Sequence, residues 1–93
     1  MIERINFNTI KVPRTTTVFP QAVIANGFIF LSGTTGVNPA TGIMISDSFE
    51  EQAGQAFANI KVILEEAGSS LDKIIKTTVF MVTGNEFAIL NKV

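Results

Sequence analysis

Cysteine, histidine, tyrosine and tryptophan are all missing from this 93-residue chain. Without Cys and His there is no thiolate nucleophile, no imidazole base, no Ser-His-Asp relay and no Cys/His zinc site, so no metal is expected. Disulfides are excluded outright. Charge is scarce as well: seven basic and eight acidic residues make up 16% of the chain and leave a net charge of −1. Lys73 and Lys76 are the nearest approach to a basic cluster, so a nucleic-acid backbone would find little to hold. Long apolar runs are missing too. Phe28 to Leu31 and Val79 to Val82 are the longest, whereas a membrane span needs about 20 residues. Met1 to Thr9, with Glu3, Arg4 and two Asn, holds no signal-peptide core. The expectation is a cytoplasmic protein that partners neither nucleic acid nor membrane.

What is present is apolar. Hydrophobic residues are 46% of the sequence and the mean hydropathy is +0.38, high for a chain whose length supports one small domain. A domain of this size buries roughly 60 to 70% of its surface on folding and has little interior to hide the surplus. Subunit association is the natural sink. The chemistry left to the chain is that of its eight carboxylates, seven cations, hydroxyls, amides and backbone.

Thr15 to Val18 opens an extended stretch that runs on to Ala25. Asn26-Gly27 is a two-residue hairpin turn, since both central positions of that turn need positive φ. Phe28 to Ser32 is the returning strand, and four consecutive apolar residues predict cover on both of its faces. Ser32-Gly33 ends it, Asn38 to Gly42 is turn-like, and Ile43 to Ile45 is a candidate short strand. Asp47 and Ser48 begin a helix with two overlapping capping boxes, to Glu50 and Glu51. Ala53, Ala56, Phe57, Ile60, Ile63, Leu64 and Ala67 then form an apolar stripe about 120° wide, with Val62 among the residues opposite. Gly68 closes the helix as the residue after its C-cap. Ile74 to Val82 reads as the strongest strand, apolar on both faces, one to be met by the helix and the other by a second subunit. Asn85 caps a second helix from Glu86.

Phe19-Pro20-Gln21-Ala22-Val23, Phe30-Leu31-Ser32-Gly33, Val37 to Gly42, Ala67 to Asp72, Lys76 to Phe80 and Asn85 to Asn91 together resemble the RidA (YjgF) family of reactive-intermediate deaminases. The likeness covers almost the whole chain, in order. It implies an α+β, chorismate-mutase-like fold with a mainly antiparallel sheet and helices on one face, assembled as a homotrimer with ligand clefts between subunits. It implies a reaction: water adds to the C=N carbon of a 2-imino acid derived from its enamine, and ammonia leaves a 2-oxo acid. No cofactor is needed, because the imine is already electrophilic. Non-catalytic binding of a 2-oxo acid is the alternative, and endoribonuclease activity a weaker one.

The resemblance also places residues. Phe19, Ser32, Gly33 and Asn91 fall on its substrate-binding positions, Phe19 standing where the family has Tyr and Thr34-Thr35-Gly36 where it commonly has Gln-Ile-Pro. A later Pro-Ala-Arg-type motif with a carboxylate-gripping Arg, and a Glu near the catalytic water, have no counterpart here. Arg4 and Arg14 stand at the wrong end of the chain to be that Arg. Residues 1–93 are therefore expected to be a single RidA-like domain, C-terminally incomplete relative to the family, with its catalytic residues unknown. Each site residue also has a plainer role: Ser32 in satisfying a turn, Gly33 in backbone conformation, Phe19 in packing, Asn91 in capping or facing solvent. Glu65-Glu66 diverge by about 100° on a helix and read as surface. Lys76 reads as a snorkelling strand residue.

Overall fold

Asn26 and Gly27 adopt φ of 52° and 79°, the left-handed pair that lets a two-residue loop follow the twist of the strands it joins. The structure is a computed structural model and describes residues 3–14, 16–81 and 87–92. Three antiparallel strands, β1 (Arg4–Phe7), β2 (Ala22–Ala25) and β3 (Phe28–Leu31), form a sheet in the order β1-β2-β3. The register sets Phe7, Ala22 and Leu31 side by side, and Ile5, Ile24 and Ile29 beside one another. These two rows are two residues apart on every strand and so share one face.

That face meets α1 (Phe49–Glu66). Ile63 packs with Val12 and Ala22 at the centre, and Phe7, Ile29, Leu31 and Val62 close around them. Val62 thus joins the core instead of the solvent face, because the end of α1 is also covered by the loop that follows β1. Of the two capping boxes expected, only the Ser48 half of one forms, because the Ser46 hydroxyl takes both the Glu51 carboxylate and the Ser48 N–H; the C-terminal end is built as the sequence directs. The Ser48 hydroxyl accepts from the Glu51 N–H at 3.3 Å, while the Glu51 carboxylate accepts from the Ser46 hydroxyl at 3.0 Å. At the other end Gly68, with φ of 91°, lets its own N–H reach Glu65 O and the Ser69 N–H reach Leu64 O, the paired bonds of a Schellman ending.

Four further expectations are corrected. The stretch before the hairpin is bent at residues 17–19 and becomes a strand only at Ala22, since Pro20 has no N–H to give a ladder. Ile43 to Ile45 contributes only an isolated bridge, Val37 to Met44, because Asn38 gathers the turn around itself: its backbone O accepts from Thr41 and Gly42 and its side chain from Ala40 N. The outer face of β3 is open, Phe28 and Phe30 being 48% and 60% exposed. Finally, residues 74–81 form no strand. A strand exists only through pairing, and no strand among the described residues lies beside this one. Val82 and the expected cap Asn85 lie outside the described residues; the second helix, α2 (Phe87–Leu90), packs against α1. A single 3-10 turn, Leu71–Lys73, precedes the unpaired segment. Among the described residues no helix is long and apolar enough to cross a membrane.

Candidate functional site

The end of β3 and the loop before β2 are tied together by two residues. The Ser32 N–H donates to Gln21 O at 3.0 Å and the Ser32 hydroxyl to Pro20 O at 2.6 Å. Gln21 extends the tie: its side-chain oxygen accepts from Thr9 N at 2.6 Å, its amide donates to Val12 O at 2.7 Å, and its N–H donates to the Asn8 side chain at 2.9 Å. One glutamine therefore fastens the chain that leads from β1 up to Pro13. The Lys11–Glu66 ion pair, at 3.0 Å, fastens the same loop to α1 but is exposed and worth at most about 1 kcal/mol.

On the opposite side, the loop after Ser32-Gly33 is held down by a buried helix residue. Asn59 is 1% exposed, donates to Thr35 O at 3.0 Å and Val37 O at 2.9 Å, and accepts from the Gln55 amide at 2.9 Å. Gly36 passes so close to the helix that a Cβ there would lie 2.9 Å from Gln52 Cα, which excludes larger residues at that point.

Between these two anchored loops lies a cleft of about 130 Å³, with Val12, Ile63 and Asn59 at its inner wall and Phe19, Ser32, Gly33 and Arg14 among its rim residues. Its volume is close to the 150 Å³ that accommodates benzene, so it suits a ligand of about six non-hydrogen atoms. Phe19, 63% exposed, offers an apolar wall. Gly33 faces open space, with nothing within 4 Å of a Cβ built on it. Its N–H has no protein acceptor among the described residues. Ser32 has spent its proton on Pro20 O and presents an acceptor oxygen to a ligand. Among the described residues no carboxylate lines the cleft and no cluster of metal-binding side chains occurs.

Of the four residues expected from sequence, the structure brings Phe19, Ser32 and Gly33 together; Asn91 follows α2, is exposed and does not line this cleft. The plainer role of Ser32 is real, since its hydroxyl satisfies a turn carbonyl. Sequence reasoning does not find Gln21, Asn59 or Arg14. Asn59 leaves a signal, a lone amide one turn from both Ala56 and Ile63 on the apolar stripe. Arg14 leaves none, because only the folded loop carries it to the end of β3.

Comparison with known proteins agrees with this architecture. The family model described as Endoribonuclease L-PSP matches residues 9–93. A RutC family protein of Aquifex aeolicus is 41% identical over 85 residues, covering 91% of this chain and 67% of that protein. The human protein named 2-iminobutanoate/2-iminopropanoate deaminase is 33% identical over 93 residues, covering 100% of this chain and 67% of its own length. The crystal structure of the E. coli YjgF gene product matches with a TM-score of 0.86 at 36% identity, covering 94% of this chain and 68% of that one. The chain belongs to the RidA (YjgF) family, and it spans about two thirds of the length of these relatives.

Proposed function

We propose that the protein hydrolyses small 2-imino acids to 2-oxo acids and ammonia in this cleft, which a homotrimer of chorismate-mutase-like subunits completes. The observation that carries the reading is the convergence of Phe19, Ser32 and Gly33 on one small cleft in a chain related to a named imine deaminase. An imine on its way to hydrolysis gains an N–H and attracts water. The acceptor oxygen of Ser32 suits either, the Gly33 N–H suits an oxygen of the acid, and Phe19 keeps bulk water from one side. Imine addition requires no prior activation of the substrate, so a site without a general base among these wall residues can still accelerate it by positioning. Asn91 remains a wall residue in this reading, reached across a subunit boundary.

Association is favoured by the exposed Phe28 and Phe30 on the outer sheet face and by the exposed apolar segment 74–81. Sedimentation of the full-length protein as a trimer at micromolar concentration is the expected result; a monomer would refute the assembly. For the reaction, 2-aminoacrylate is generated in situ from an amino acid and ammonia or keto-acid release is followed with and without protein. Acceleration is expected. Its absence, with measurable 2-oxo acid binding, would favour a binding protein. The family model's description supports ribonuclease as a second reading; a single cation among the described residues of the cleft disfavours it, and RNA turnover in nuclease-free preparations would reverse that ranking.

A further inference from the structure

We infer that Asn59 is a positioning residue of the cleft, fixing the path of Gly33 and Thr34 beside the ligand, a role that rests on the proposed deaminase reading for the reaction it assists. Asn59 lies on the inner wall and is 1% exposed, yet it has no donor to offer a ligand. Both N–H groups of its amide are taken, by Thr35 O and Val37 O, and its oxygen accepts from Gln55. The Gln55 bond decides which way the carboxamide faces, because it holds the oxygen and so leaves the nitrogen for the two carbonyls. With the Ile45 N–H bonded to Gly36 O at 2.9 Å, three successive carbonyls of the loop are fastened, two of them by Asn59. The other end is equally fixed, since Ser32 is bonded to Gln21 O and Pro20 O. Only Gly33 and Thr34 stand between these anchors. Two residues span at most about 7 Å, so the fixed ends leave few paths. Gly33 has no support of its own: nothing lies within 4 Å of a Cβ built on it, and glycine is the residue least able to hold its own backbone dihedrals. The direction of its N–H is therefore set from outside, through the carbonyls that Asn59 holds.

The plainer role for Asn59 is a buried amide that stabilises the fold and touches the reaction only by keeping the chain folded. The two roles differ in what the folded molecules do. In the full chain, Asn59→Leu removes the hydrogen bonds at little change in volume. Leu64→Ala is the destabilised control, Leu64 being 5% exposed and outside the cleft lining. Deamination of 2-aminoacrylate generated in situ and NMR titration with 2-oxobutanoate are both referred to the folded fraction. The expected result is that Asn59→Leu lowers kcat/KM per folded molecule roughly 10- to 100-fold, mostly through kcat, and weakens the response of the Gly33 amide to 2-oxobutanoate. Leu64→Ala should leave both at wild-type values. Gln55→Ala, which frees the Asn59 carboxamide to turn, should follow Asn59→Leu with a loss of roughly threefold to tenfold. A merely structural Asn59 leaves kcat, KM and the Gly33 response of the folded molecules unchanged, and that outcome would overturn the inference. Should Asn59→Leu lose its fold, Gln55→Ala decides alone. If the wild type deaminates and folded Asn59→Leu deaminates equally well, the deaminase reading stands and this inference falls. If the wild type accelerates no deamination while Asn59→Leu, unlike Leu64→Ala, loses the Gly33 response, Asn59 positions the cleft and the deaminase reading falls.

Discussion

Two stretches of the chain have similar apolar content and meet different fates. Ala22 to Leu31 and residues 74–81 are both rich in Val, Ile and Phe, and both suit an extended backbone. The first has a hairpin turn that pairs it with itself, a neighbour in β1 and a helix across one face, so Ala22 is 0% exposed. The second has no strand beside it among the described residues, and Ile75 and Phe80 are 82% and 93% exposed. Composition therefore sets a capacity for strand formation, and pairing decides whether it is used. The helix cannot substitute for a neighbour, because it covers a face and supplies no ladder hydrogen bonds.

The sharpest probe of this difference compares one isoleucine from each environment. Ile63 is 2% exposed at the centre of the core, and Ile63→Ala should cost about 4 kcal/mol in urea unfolding through lost burial and the cavity left behind. Ile75→Ala should change the stability of the unassociated chain by less than about 0.5 kcal/mol. As protein concentration rises into an associating regime, the gap should narrow, since an apolar strand is then covered by another copy. Equal costs at the lowest concentration would show that residues 74–81 are already packed, and the comparison would fail.

A second probe tests whether polar anchoring, as well as pairing, separates the two regions. Asn59→Ala would strand the Thr35 and Val37 carbonyls that it now satisfies. Leaving such buried groups without partners costs about 1 to 3 kcal/mol, so a loss near the upper end of that range is expected in the same unfolding assay. Because those carbonyls belong to the loop after Gly33, amide exchange there should quicken while residues 74–81, which show no equivalent anchor among the described residues, exchange as before. Unchanged exchange in residues 33–37 would mean that Gly36 against Gln52 holds the loop without help.

How much of this is legible in the sequence follows the same division. Features set within a few residues are readable: the Asn26-Gly27 turn, the Ser48 cap, the Gly68 ending and the stripe that carries Ile63 and Leu64. Features needing a distant partner are not. β1 alternates, with Ile5 and Phe7 on one side and Arg4 and Asn6 on the other, but four residues are too short a run to separate from a loop, and only pairing with β2 makes it a strand. Segment 74–81 misleads for the converse reason, its composition promising a strand that no neighbour among the described residues completes. In the cleft, Phe19, Ser32 and Gly33 are accessible through family likeness, whereas Arg14 reaches the rim only through the folded loop. Distance along the sequence is a poor guide once Gln21 has anchored the loop before Pro13 to the strand end.

The smallest effect lies at the joint between the two regions, in the turn that ends the packed part and begins the exposed one. The Ser70 hydroxyl donates to the Asp72 carboxylate. That bond, then the residue's own N–H and the nearby Lys73, hold the Asp72 pKa below its ordinary 3.8 against a slight opposing desolvation. A carboxyl depressed in the folded state adds stability above its unfolded pKa and loses it as pH falls through the folded value. Ser70→Ala should therefore raise the Asp72 pKa toward 3.8 without fully restoring it, since the N–H and Lys73 remain, and should remove a small stabilisation only at pH values above that range. NMR titration of the Asp72 side chain reads the shift directly. An unchanged pKa would mean that the turn does not depend on this contact, and that the handover from packed helix to unpaired segment is set by the Schellman ending at Gly68 alone.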